Sequence, residues 1–156
     1  MSIIRQASAD DLNALADPIA ELPLMQRYGH NAGKLARMWR DGLGRGDRIL
    51  VSYDRQNPTG VAWFMPAGTL GLGGYLRLIA VTSPAQRGGV GVELLSAFER
   101  ETFAQSGHAF LLVSDFNTPA QRFYERHGYR RVGEIPALVV AGITELLYWK
   151  RRPTGG

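Results

Sequence analysis

Cysteine is absent from the 156-residue chain, which excludes disulfides, thiolate metal centres, iron–sulfur clusters and a cysteine nucleophile. A reducing compartment suits that composition, and the cytoplasm is the expected location. Lysine is nearly as scarce. Only Lys34 and Lys150 occur among 18 basic residues, so arginine carries almost all the positive charge. Long apolar runs are missing too: no stretch approaches the roughly 18 residues that a membrane helix requires. The opening Met1-Ser2-Ile3-Ile4-Arg5-Gln6 also lacks the apolar core of a signal peptide, so no membrane association is expected. His30, His108 and His127 are scattered without i,i+4 pairing, and no metal site is expected from them. No serine stands in a G-x-S-x-G elbow. The net charge of +4 is spread without a basic arm or block, which gives nucleic acid little support as a partner.

What remains is an ordinary globular balance, 45% apolar and 21% charged, at a length that suits one domain over residues 1–156. The pattern predicts a strand at residues 2–6 and a helix from Asp10 and Asp11 towards Leu22, with breaks at Pro18 and Pro23. A second helical region covers 24–40 and ends in the glycine-rich stretch 42–46. Strands follow at 48–53 and 60–66 around a turn with Asn57-Pro58, then at 75–81. A helix at 90–106, a doubly buried strand at 109–114 and a helix at 118–127 come next, and strands at 129–135 and 143–150 close the chain. The order predicts an α/β or α+β domain with a mixed sheet.

Two segments carry chemistry. In the first, Gln86-Arg87-Gly88-Gly89-Val90-Gly91 joins a strand to a helix. A helix start presents free amide N–H groups and partial positive charge, and glycines let an anion approach the backbone closely. Arg87 can add a charge-assisted contact. Leu94 occupies the place of the third glycine of a dinucleotide fingerprint, and neither lysine has phosphate-loop spacing, so a nucleotide hydrolase is excluded. The second segment is Asn117-Thr118-Pro119-Ala120-Gln121-Arg122-Phe123-Tyr124-Glu125-Arg126-His127-Gly128-Tyr129. Thr118 and Gln121 have capping-box spacing, Pro119 suits a first turn, and Gly128 supplies a left-handed end.

Gln86-x-x-Gly89-x-Gly91 resembles the Q/R-x-x-G-x-G/A motif of the GCN5-related N-acetyltransferases. The second segment resembles that family's N-x-x-A-x-x-[LF]-Y-E-[KR]-x-G-[FY] string at Asn117, Ala120, Phe123, Tyr124, Glu125, Arg126, Gly128 and Tyr129. The two motifs stand in the family's order, over roughly residues 75–135. The resemblance implies a mixed, mostly antiparallel sheet of six to seven strands flanked by helices, with splayed fourth and fifth strands. It implies acetyl-CoA as cosubstrate, no metal, and transfer to an amine on a small molecule or a protein. Ile79, Val81, Gln86, Arg87, Gly88, Gly89, Val90, Gly91, Asn117, Phe123 and Tyr124 are then cofactor-binding candidates. Tyr124 is placed to protonate the departing sulfur, and Asp115 is the nearest carboxylate candidate for a base, with His30 and a water relay as the other routes. Tyr28, His30 and Trp39 fall in the region that shapes the family's acceptor site, although helical spacing also suits them to a core. A CoA-binding module without catalysis and an acetyltransferase acting on charged tRNA are the rival readings. Family members are often dimers, which leaves a homodimer open.

Overall fold

Local signals set most of the element boundaries in the computed structural model, which describes residues 2–155. Strand β1 (Ile3–Gln6) leads into helix α1 (Ala9–Ala20), where Ser8 and Asp11 form a reciprocal capping box. Pro18 does not break this helix as expected. It lies in the last turn, where only the Ala14 carbonyl loses a donor and the helix ends two residues later. The predicted helix over 24–40 is two helices, α2 (Pro23–Arg27) and α3 (Ala32–Gly44). Gly29 turns left-handed between them at φ +73°, and the Asn31 side chain accepts the Lys34 N–H at 2.8 Å, so a new helix starts there.

The hairpins are longer than the sequence pattern predicts. Strand β2 (Arg48–Asp54) pairs antiparallel with β3 (Asn57–Thr69), with Pro58 already in register opposite Tyr53. Between β3 and β4 (Gly73–Val81), Leu70 and Gly71 both have positive φ and the Leu72 N–H reaches the Thr69 carbonyl at 2.8 Å. This is the twist-matched turn that hairpins favour. Helix α4 (Val90–Gln105), strand β5 (His108–Ser114), helix α5 (Thr118–Arg126) and strands β6 (Arg130–Pro136) and β7 (Thr144–Arg151) complete the chain.

The seven strands form one sheet in the order β1-β2-β3-β4-β5-β7-β6, with β4 and β5 parallel and β1/β2, β2/β3, β5/β7 and β6/β7 antiparallel. The mixed sheet and flanking helices agree with the expected fold. The β4–β5 ladder covers Gly73–Leu76 and His108–Leu111 and stops there, although β4 runs on to Val81 and β5 to Ser114. No helix among the described residues is long and apolar enough to cross a membrane.

The described residues divide into two compact units, one formed by the chain up to Met65 with Arg77–Arg100, the other by Pro66–Leu76 with the chain from Glu101 on. In the first unit, Leu12, Leu15, Ile19, Leu35 and Trp39 of the helices pack on Ile49, Val51, Val61 and Trp63 of one sheet face. On the other face Phe64 meets Phe98 of α4 edge-on at 5.2 Å. Gly42 of α3 is required by close packing, because a Cβ there would lie 2.9 Å from both the Asp47 carboxylate and the Trp63 indole nitrogen. In the second unit Ala109, Leu111 and Val113 of β5 and Leu146 and Tyr148 of β7 are buried. Gly73 allows β4 to approach β5, since a Cβ there would collide with the His108 backbone oxygen.

Candidate active site

The first unit holds the glycine segment as an exposed turn at the head of α4. After Val81 the chain makes a single tight turn, Ser83–Ala85, and Gln86 is extended. Arg87 at φ +69° and Gly89 at φ +83° then bend it left-handed. The first helical bond runs from the Glu93 N–H to the Gly89 carbonyl at 3.1 Å. The amides of Val90, Gly91 and Val92 therefore precede any intrahelical acceptor and lie at the positive end of the helix dipole. Arg87, Gly88 and Gly89 are exposed, whereas the Val90 side chain is buried, so that residue offers only its backbone. Gln86 turns its side-chain amide back to the Val81 carbonyl at 3.2 Å, bracing the turn. An open depression of about 610 Å³ beside the turn is lined by Asn57, Thr82, Gln86, Gly88 and Val90, among others. Ile79 and Val81 are half-buried on β4.

The three acceptor candidates separate. Tyr28 and His30 lie in the link between α2 and α3 with stacked rings, 6.4 Å between centroids. Burial, and then the Lys34 charge, push the His30 pKa down, which favours the neutral imidazole. Its Nδ1 is buried without a hydrogen-bond partner among the described residues. Trp39 has no exposed surface and belongs to the hydrophobic core, so its position is that of a packing residue.

In the second unit Asn117, not Thr118, caps α5: its side-chain oxygen accepts the Ala120 N–H at 3.3 Å. Gln121 accordingly falls outside a capping box and instead donates to the Ser114 and Asp115 carbonyls at 3.2 and 3.0 Å. The Asn117 NH₂ group meets no acceptor among the described residues. Tyr124 is half-buried and contacts Phe123 and Tyr129 edge-on at 5.1 and 5.7 Å. Burial, and then Tyr75, raise its pKa well above that of an ordinary tyrosine, so the hydroxyl keeps its proton at neutral pH. Phe123 also packs on His127 at 4.7 Å. Gly128 ends the helix at φ +89°, as its position in the motif predicts. Asp115 is exposed at the end of β5, where its carboxylate accepts the Thr144 N–H at 3.3 Å and its own N–H reaches the Thr144 carbonyl at 2.9 Å.

One cluster of the first unit escapes a linear reading of the sequence. Asp47 is buried, and its carboxylate accepts the Trp63 indole N–H at 2.9 Å and an Arg45 N–H at 3.2 Å. Arg77 of β4 lies over the Trp63 ring, 4.2 Å from its centroid. The sequence signal was a lone charge inside the otherwise apolar β4.

Family comparison agrees with this architecture. The Acetyltransferase (GNAT) family model matches residues 16–129, and the chain belongs to that family of N-acetyltransferases. It is 32% identical over 111 residues to the Bacillus subtilis (strain 168) protein named uncharacterized N-acetyltransferase YjcF, covering 70% of this chain and 74% of that one. Among solved structures, a GNAT-family acetyltransferase of Bacillus cereus ATCC 10987 matches with a TM-score of 0.79 at 18% identity, covering 98% of this chain and 99% of the other. An aminoglycoside 6'-N-acetyltransferase complexed with coenzyme A matches with a TM-score of 0.78 at 16% identity, over 99% of both chains. At such identities the two structures establish the fold alone.

Proposed function

We propose that the chain transfers an acetyl group from acetyl-CoA to a primary amine of a small molecule or protein by direct attack, and that residues 1–156 act as one catalytic domain. The observation that carries this reading is the exposed, left-handed turn at the head of α4, whose amides fit a pyrophosphate. Gln86, Gly88, Gly89, Val90 and Gly91 would hold that group chiefly through the backbone, with Arg87 adding charge. Ile79 and Val81 of β4 are assigned to the pantetheine arm in the first unit, and Asn117 and Phe123 are assigned cofactor contacts in the second. When bound, acetyl-CoA supplies an activated acetyl group and a thiol leaving group.

Tyr124 is assigned the proton donated to the departing sulfur. The phenol holds its proton at working pH and can donate a hydrogen bond to the leaving sulfur, handing the proton over as the C–S bond breaks; the burial that disfavours the phenolate disfavours a thiolate in the same way. The proton lost by the attacking amine goes to water or to Asp115. Water is favoured, because the Asp115 carboxylate is engaged with the Thr144 N–H. Tyr28 and His30 are assigned to the acceptor side, and Trp39 to the core beneath it. A homodimer is supported by terminal strand β6 and the loop after it, where Val132, Ile135, Leu138 and Val139 are exposed. A cytoplasmic location completes the reading.

Calorimetry with acetyl-CoA, followed by thiol release across an amine panel, tests the proposal. Saturable binding and release of thiol with at least one amine are expected. No heat with acetyl-CoA overturns the reading, and binding without turnover of any amine leaves a non-catalytic CoA module.

A further inference from the structure

Arg77 is held in an unusual way. Its guanidinium lies over the Trp63 indole at 4.2 Å, and the indole is fixed from its edge by the buried Asp47 carboxylate. Asp47 is also the carboxylate nearest to Arg77, but at 4.0 Å the contact is an ion pair and not a hydrogen bond. The carboxylate is already occupied by Trp63 and Arg45. The cluster thus contains two guanidinium groups and one carboxylate, a surplus of positive charge. The Arg77 N–H groups have no hydrogen-bond acceptor among the described residues, while 32% of the side chain is open to solvent.

Arg77 is thus set against the apolar core of the first unit, which Leu78 also joins, while about a third of the Arg77 side chain faces solvent. Arg77 is also two residues from Ile79 in β4, a separation of roughly 7 Å along a strand. A flat, stacked guanidinium with uncommitted donors is pre-organised for a planar anion, and carboxylate matches its fork.

We infer that Arg77 is the receptor for a carboxylate carried by the acyl acceptor, so that the acceptor is an amine with a nearby acid group, as in an amino acid or an acidic peptide. The inference rests on the acetyltransferase reading given above. The surplus positive charge that attracts such a molecule repels polyamines and other polycations.

The test begins with acetyl-CoA calorimetry. Rates are then compared for free amino acids against their methyl esters, and for C-terminally amidated Ala-Glu against Ala-Gln. The first pair reads an α-carboxylate and the second a side-chain carboxylate on a peptide. In the wild-type protein the acid member of one pair should be preferred by roughly 10- to 100-fold in kcat/KM, mainly through KM. Arg77→Met keeps a stem over Trp63 and should bring that ratio to about one. Binding of the preferred acid to the CoA-loaded protein, read by calorimetry, should be lost with it. Arg77→Lys keeps the charge without the fork and should retain part of the preference; it also carries the comparison if the methionine variant fails to fold. A ratio near one in the wild type, a preference that survives Arg77→Met, or acetyl-CoA binding without turnover of any acid-bearing amine overturns the inference alone. Absence of acetyl-CoA binding overturns the underlying reading as well.

Discussion

The two units solve their parts of the problem with different materials. The turn in the first unit is assigned its anion through the main chain: the side chains at 88, 89 and 91 are hydrogen atoms, and Val90 hides its own. The second unit relies on one side-chain hydroxyl, that of Tyr124, set among Phe123, Tyr129 and Tyr75. Backbone recognition depends on conformation and tolerates little change in φ. Side-chain chemistry depends on a single atom and its surroundings. The comparison teaches that binding and rate should be separable by substitution, one in each unit.

The largest effect is expected from Tyr124→Phe. Losing the acid should lower kcat by about 100-fold while acetyl-CoA affinity by calorimetry stays close to wild type. A loss of only a few-fold would make the hydroxyl a bystander and dissolve the contrast. Gly89→Val should do the opposite. A β-branched residue at φ +83° is strained by roughly 1–2 kcal/mol, so acetyl-CoA should bind about tenfold more weakly, with kcat at saturation nearly unchanged. An affinity equal to wild type would remove that turn from the binding site.

The smallest effect sharpens the contrast at the two ends of the pH scale. His30 in the first unit has a lowered pKa, so the unfolded chain takes up its proton first as pH falls. The stability it contributes is present above its ordinary value near 6.5 and is lost in acid. Tyr124 and Tyr148 in the second unit have raised values, chiefly through burial. Their contribution is present below the ordinary value of 10.0 and is lost as pH rises beyond it. Melting curves should therefore decline on both sides. His30→Gln should flatten the acid side only, and an unchanged acid limb would show that other groups set it.

Local chemistry made much of this readable in advance. The glycine turn and the Asn117–Gly128 helix are contiguous strings whose caps and left-handed positions are written in residue type. The break at Gly29 and Asn31 was legible in principle but was hidden beneath an apolar spacing that continues across it. The cap of α5 shifted by one residue because an Asn oxygen reaches the third helical N–H as well as a Thr hydroxyl does. The extra lengths of β3 and β4 depend on a turn at Leu70, a residue type that rarely adopts positive φ, so composition gave no warning. The Arg45, Asp47, Trp63 and Arg77 cluster could not be assembled from the sequence, where Arg77 alone stood out as a charge within β4, because three separate segments meet to make it. Trp39 illustrates the reverse problem: a large aromatic suits a pocket wall and a core equally well until burial decides.

Gly42 shows how far an inert position can reach. Its missing side chain is the space in which the Asp47 carboxylate and the Trp63 indole meet, and Arg77 rests on that indole. Even a methyl group there would push one of the two aside and unseat the guanidinium above. The choice of acyl acceptor would then answer to a residue that touches no ligand and carries no charge, and evolution towards a new acceptor could begin in a helix rather than in the pocket.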